Sequence, residues 1–358
     1  MIPYYILLGV PIVFTFSRSL RTNRLQTAPQ KNYTIVTFFV LYFLLLALRR
    51  QDIGVDLSGY LPAFTRFREC SWREVATSSR WETGFVLLTK FIGTFFASPQ
   101  IYMAIIAALC VFPVARLYYR ESEDDITVMA LFTVFPVFMM NFSGLRQAVA
   151  IAFTPAVYYA ARNRRLVRAI LLSLCAALFH ASALALLLIY PVYHMKLRAR
   201  HLIWVAPAFA LFYVFRASLY FILLPLLGSD YTTRYDRLTE TGATTMLLLF
   251  ILFALYAFYA PNENLVDEDT SGLRNLLVLV TFIQAFASVS PVAMRLNYYF
   301  LVLIPLLIPK VSHRITRMDV RYVQLIRIGI VAFFLLYYLI KIHIYDHLGV
   351  FPYAFFWQ

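Results

Sequence analysis

Twelve apolar runs follow one another along the chain, most of them about 15 to 25 residues long, the length of helix that crosses a ~30 Å hydrocarbon core. They lie near residues 2–17, 33–48, 84–97, 101–118, 126–141, 145–161, 169–193, 202–227, 244–260, 275–291, 297–309 and 328–345. A water-soluble domain of 358 residues cannot hide a composition that is 61% hydrophobic and 14% charged. In lipid every backbone polar group must be satisfied internally, and runs of this length do so as helices. The expected fold is therefore all-α: a polytopic integral membrane protein with about 10–12 transmembrane or re-entrant helices and short loops. No soluble domain interrupts the runs, so residues 1–358 read as a single transmembrane domain. Its larger loops are expected at 49–82 and 228–243. The first run, "IPYYILLGVPIVFTF", has no basic segment before it and no small-residue cleavage site after it, and reads as a retained helix.

Charge sets the expected orientation. The net charge of +14 sits mainly in short loops, "SRSLRTNRLQTAPQK", "RNRRLVR", "HMKLRAR" and "KVSHRITRMDVRYVQLIR". This is the positive-inside pattern, which places those loops in the cytoplasm and argues against a nucleic-acid partner. The N-terminus, loops 49–82 and 228–243 and the C-terminus then fall outside.

Two length arguments locate breaks. From Ile126 to Ala161 the chain carries one charged residue, Arg146. Those 36 residues would make a helix of about 54 Å, so "NFSG" at 141–144 reads as the meeting point of two helices. Residues 169–193 separate two loops assigned to the same side, and 25 residues allow two legs of about 18 Å each. The chain is expected to enter and return, with "ALFHAS" as the turn and His180 at its tip. The run 84–97, which contains Lys90 and Gly93, is expected to be short, tilted or interfacial.

Loop 49–82 holds six Arg residues on the side where basic residues are disfavoured, which points to an anionic ligand or to internal pairing. Arg146 either snorkels or clamps a carbonyl, or it grips phosphate oxygens in bidentate fashion. Arg295 has the same character. Arg216 reads more readily as structural. His180 is either a satisfied structural donor or a general base. The three cysteines show no disulfide or metal spacing, and there is no phosphate loop, HExxH, CxxC, GxSxG or DxD motif. No metal or cofactor is expected.

"RRQDIGVDLSGY", "WETGF", "NFSGLRQAVAIAF", "ALFHASAL" and "MRLNYYF" resemble, in order and spacing, the EpsG-like polysaccharide polymerases, relatives of the Wzy O-antigen polymerases. The resemblance runs from about residue 49 to the C-terminus. It implies a metal-independent membrane glycosyltransferase of the bacterial inner membrane, active at the periplasmic face. Such an enzyme polymerises undecaprenyl-pyrophosphate-linked oligosaccharide repeat units in O-antigen or other surface polysaccharide biosynthesis. The matched positions are Arg50, Asp52, Gly54, Asp56, Tyr60, Glu82, Arg146, Gln147, His180, Arg295 and Asn297. Val55 stands where such sequences often have Thr. The implied roles are catalytic for His180, Asp56 or Glu82, with the choice of base open, and pyrophosphate or sugar binding for Arg50, Asp52, Tyr60, Arg146, Gln147, Arg295 and Asn297. Implied partners are the lipid-linked oligosaccharide, membrane lipids and a chain-length regulator. A flippase or transporter of the same lipid-linked sugar, and a ligase or acyltransferase acting on the same glycan, are the rival readings. Loop charge, read alone, places the matched polar motifs at the outer face, where this reaction would occur.

Overall fold

The computed structural model describes residues 2–7, 9–10, 13, 33–77, 81–227, 242–316, 318–344 and 348–358. The basic segment 17–31 and the loop expected at 228–243, as far as residue 241, lie outside the described residues. Those described are 80% helical, with 17 α-helices and no strands, an all-α polytopic membrane protein. Four stretches are long and apolar enough to cross a bilayer: Pro99–Glu121, Ala199–Ile222, Glu268–Ala287 and Arg321–Ile340. Two bent pairs pass the same test together, Asp125–Val134 with Pro136–Ser143 (57°) and Met294–Leu301 with Ile304–His313 (51°). The chain divides into two compact units, Met1–Ala156 with Leu171–Leu184 and Gln324–Gln358, and Val157–Ile170 with Ala185–Val323.

The first unit contains α1 (Tyr33–Ala47), α2 (Leu57–Glu69), α3 (Trp72–Thr77), α4 (Thr83–Phe95), α5 (Pro99–Glu121), α6 (Asp125–Val134), α7 (Pro136–Ser143) and α8 (Leu145–Ile151). The region expected as loop 49–82 is largely helical. Leu57, Tyr60, Phe64 and Phe67 recur at helical spacing and are the buried face of α2, and this amphipathic stripe packs it onto α4. At 13 residues α4 is about 20 Å long, too short to span, and its lysine serves α2. Lys90 Nζ donates to the carbonyls of Arg68 (2.8 Å) and Cys70 (2.7 Å), which would otherwise be orphaned at the C-terminal end of α2. Gly93 leaves room for the Arg68 side chain, whose Cβ would lie 3.2 Å from an added methyl.

The 126–161 stretch breaks at Gly144, as its length requires. It breaks further at Phe135, where Pro136 opens α7, and after Ile151, ahead of α9 (Thr154–Arg162) with Pro155 at its second position. A proline removes a donor and collides with the preceding turn, so each marks a helix start. In this stretch α6, α7, α8 and α9 replace the two helices expected.

A buried arginine closes the first unit. Among the described residues Arg49, 2% exposed, donates to the Asn141 carbonyl (3.4 Å) and lies over the Phe142 ring (5.3 Å to the centroid). It therefore sits at the carbonyl end of α7, where a cation opposes the partial negative charge of the helix terminus. Residues 348–358 lie along 48–55, through Gly54 N–H to Gly349 O (2.8 Å), Arg50 N–H to Ala354 O (2.9 Å) and Phe356 N–H to Leu48 O (2.9 Å).

The second unit is organised around α14 (Glu268–Ala287), which packs against α11 (Ile189–Tyr193), α12 (Leu202–Leu227), α13 (Gly242–Tyr259), α15 (Pro291–Leu301) and α16 (Ile304–His313). Asp267 caps α14 by accepting from Thr270 N–H at 2.7 Å. Buried Asp269 accepts from the hydroxyls of Tyr158 and Tyr193 and pairs with buried Lys310 at 3.1 Å. Gly272 makes room for Tyr193, whose ring would meet an added Cβ at 2.3 Å. Asp269→Asn removes a buried carboxylate that pairs with Lys310 and, at 4.0 Å, with Arg162. It is expected to cost about 3–5 kcal/mol, read as a lowered thermal midpoint in detergent; an unchanged midpoint would show that the pair contributes nothing.

Candidate functional site

The segment expected to turn at His180 does turn there. It comprises α10 (Leu166–Ala177), a turn at 178–180, a 3₁₀ segment (Ala181–Leu188) and α11. His194 Nε2 meets the Ala161 carbonyl at 3.0 Å, which brings the two ends of the segment together. At the tip, Gly84 N–H donates to Leu178 O at 2.8 Å. A Cβ on Gly84 would sit 2.7 Å from that oxygen, so only glycine allows the start of α4 to approach the turn so closely.

That approach places Glu82 beside His180. Glu82 Oε1 lies 2.9 Å from His180 Nδ1 and accepts from Ala181 N–H at 3.1 Å. Its Oε2 accepts from Arg146 Nη1 at 2.6 Å. Arg146 Nε donates to Tyr60 Oη at 3.3 Å, and its guanidinium lies over the Trp81 ring, 5.5 Å from the centroid. Side-chain exposures of 24% for Arg146, 18% for Glu82 and 13% for His180 leave the cluster mostly enclosed but reachable. Among the described residues no acceptor engages Arg146 Nη2. A core of Leu57, Tyr60, Phe64, Phe85, Tyr102, Leu145 and their neighbours underlies these groups, so α2, α4, α5 and α8 share one rigid base.

Asp56 joins the same unit from α2. Asp56 N–H donates to Ser143 Oγ (3.1 Å), and Ser143 Oγ donates back to Asp56 Oδ2 (2.9 Å), fixing the turn before α2 to the break before α8. Gly54 precedes it at φ +110°, with the Phe142 carbonyl oxygen 2.1 Å from where a Cβ would stand.

Burial alone would raise the pKa of Glu82. The hydrogen bond from His180 and the charges of Arg146 and His180 outweigh it and bring the value down to about 2 from an ordinary 4.5. Glu82 is thus an anion throughout the working range, and an anion at that distance is met by a hydrogen on His180 Nδ1; in the neutral imidazole Nε2 is then the acceptor atom. A carboxyl with a depressed folded-state pKa stabilises the fold fully above its unfolded value and loses that contribution as the pH falls through its folded value. Thermal midpoints of wild type and Glu82→Gln are therefore expected to differ most above pH 4.5 and to converge toward pH 2. A gap that stayed constant over that range would contradict the shift.

The other expected site residues fall elsewhere. Arg50 and Asp52 form an exposed two-pronged ion pair with each other (2.7 and 2.8 Å), and it is Arg49 whose side chain turns inward. Gln147 is buried in α8. Arg295 and Asn297 belong to the second unit, where Asn297 is fully buried and donates to Gln284 Oε1 (2.9 Å) and the Val280 carbonyl (3.2 Å). Ser143 and Trp81 were not singled out in the sequence, although each stands within a quoted motif. Among the described residues no group of three His, Cys, Asp or Glu is arranged to hold a metal ion.

Fold and site together define a polytopic membrane protein with an enclosed Arg–Glu–His cluster. A family model describing the EpsG family matches residues 32–355, and the chain belongs to that family. Membership gives it, at the coarse level, a polysaccharide-polymerase, glycosyltransferase-like function in polysaccharide biosynthesis. Neither a curated protein nor a solved structure matches the chain significantly.

Proposed function

We propose that this chain polymerises oligosaccharide repeat units carried on undecaprenyl pyrophosphate, at the outer face of the inner membrane, in the manner of Wzy-type polymerases. The observation that carries the reading is Glu82, which holds His180 with one oxygen and Arg146 with the other. One carboxylate thereby orients a base and a phosphate-binding cation with respect to each other.

In the proposed reaction the acceptor hydroxyl attacks the anomeric carbon of the donor glycan. The bond from that carbon to the pyrophosphate oxygen breaks, and undecaprenyl pyrophosphate leaves with the electron pair. His180 Nε2 takes the hydroxyl proton, and Glu82 stabilises the imidazolium that forms. Arg146 turns its uncommitted Nη2 toward the leaving oxygens, a preorganised donor where negative charge develops. Glu82 is too acidic, at about 2, to be an effective base itself. Asp56, tied to Ser143, serves as a positioning residue in this reading.

A flippase would need its ionisable groups near the midplane of repeated halves. Here the ion pairs of the site gather around one hairpin tip. Membranes containing the wild-type chain are expected to convert lipid-linked repeat units into a ladder of longer glycans. Membranes containing His180→Gln are expected to leave the single unit, and equal ladders from both would refute this role for His180. Arg146→Lys keeps the charge but loses the planar fork, and should reduce the ladder about tenfold or more.

A further inference from the structure

In the first unit α1 lies along α5, and the two helices leave a groove of about 330 Å³ between them, within the size range of ligand sites. Buried Ile35 and Phe39 form its floor, and the exposed side chains of Val36, Val40, Phe112 and Tyr119 form its walls. The one charged residue in the lining is Arg116. Arg120 follows at i+4, on the same side of α5. Both arginines are exposed, and among the described residues neither has an ion-pair or hydrogen-bond partner. Carboxylates that follow in sequence are engaged elsewhere. Asp124 accepts from Arg327 Nη2 at 2.7 Å, and Asp125 accepts from the Ser122 hydroxyl at 2.8 Å.

The groove begins two residues into α1, at Ile35, and reaches Tyr119, two residues before the end of α5. It therefore occupies the last turns of both helices at one end. That end follows the basic segment 17–31 in sequence, which loop charge assigns to the cytoplasm. Exposed apolar side chains continue from the groove toward the far ends of the helices, at Leu44 on α1 and Leu109 on α5. In the other direction α5 ends one residue after Arg120.

This arrangement favours one ligand chemistry. An apolar channel takes hydrocarbon, and a guanidinium near the helix end takes phosphate oxygens. Charge then selects the head. A choline or ethanolamine head brings its own cation, and no carboxylate lines the groove to receive it. Two uncommitted arginines are complementary to a head with net negative charge.

We propose that the groove between α1 and α5 is a binding site for an anionic phospholipid of the surrounding leaflet, with an acyl chain against Phe39 and Phe112 and the phosphate on Arg116. The site is separate from the Arg146 cluster and does not depend on the polymerase reading.

The test reconstitutes the full chain in nanodiscs of phosphatidylcholine and phosphatidylglycerol in equal amounts. The chain is then extracted, and the phospholipid it retains is measured by mass spectrometry. Wild type is expected to retain phosphatidylglycerol in preference. Arg116→Gln should lower that preference about fivefold, the effect of one basic side chain at an anionic lipid surface, and Arg116→Gln with Arg120→Gln should lower it further. Arg116→Lys keeps the charge and should keep most of the preference. Arg116 is exposed, so its variants should hold the wild-type thermal midpoint. Ala115→Phe fills the groove without removing a charge, and should lose retained lipid of both kinds. Equal retention of the two lipids by wild type, or an unchanged preference in Arg116→Gln, would overturn the proposal. Full retention in Ala115→Phe would overturn the groove as the seat of the acyl chain.

Discussion

Glu82→Gln is expected to lower chain growth by about 10²–10⁴-fold, the range over which a positioned proton-transfer group contributes. The substitution is nearly isosteric, so α4 and the hairpin tip should stay in place. What changes is the charge between His180 and Arg146. The amide can still accept a bond at one atom, but it no longer stabilises an imidazolium, and Arg146 loses its partner at 2.6 Å. His180→Ala is expected to fall into the same range. The combination Glu82→Gln with His180→Ala should be little worse than either alone, because groups that act as one unit do not contribute independently. If the losses multiplied, Glu82 and His180 would be acting separately. If Glu82→Gln cost less than about threefold, the Arg146 contact would be no more than an ordinary exposed ion pair.

Gly54→Ala should produce the largest structural defect. At φ +110° an L-residue is strained by about 1–3 kcal/mol even in open space. Here the added Cβ would stand 2.1 Å from the Phe142 carbonyl oxygen and 2.9 Å from its carbonyl carbon, both backbone atoms of α7 that cannot swing aside. Loop and helix must separate, which breaks the paired hydrogen bonds between Asp56 and Ser143 two residues before Arg146's helix begins. The expected result is a total loss of about 3 kcal/mol or more, read as a lowered thermal midpoint in detergent, together with loss of polymer. Gly59→Ala is the control. It lies in α2 with nothing within 4 Å of its added Cβ, and should be neutral or stabilising by up to about 1 kcal/mol. Equal midpoints for the two variants would contradict the close approach at Gly54.

Much of this architecture was legible in the sequence because helix length in a membrane is arithmetic. The breaks at Gly144 and at the His180 turn follow from residue counts and turn-forming residues alone. Loop 49–82 was not legible as a folded layer, since its charges mask the Leu57, Tyr60, Phe64 and Phe67 stripe, and nothing local reveals that Lys90 caps α2 from another helix. The adjacent Arg49 and Arg50 are equivalent by composition, and only the pairing of residues 48–55 with 348–358 decides which of them turns inward. Glu82, Arg146 and His180 were each visible as polar residues in apolar surroundings. Their joining was not, because 64 residues separate Glu82 from Arg146 and 98 separate it from His180. Gly84 and its contact with Leu178 close that distance, and a glycine in an apolar run carries no such message by itself.

The most direct measurement is chain growth by the purified protein in vesicles, supplied only with undecaprenyl-pyrophosphate-linked repeat units, with no nucleotide and no other protein. The account predicts a ladder of glycans lengthened by whole repeat units, with undecaprenyl pyrophosphate released once per linkage, from wild type and not from Glu82→Gln. Movement of the lipid-linked unit across the bilayer without any lengthening would contradict it.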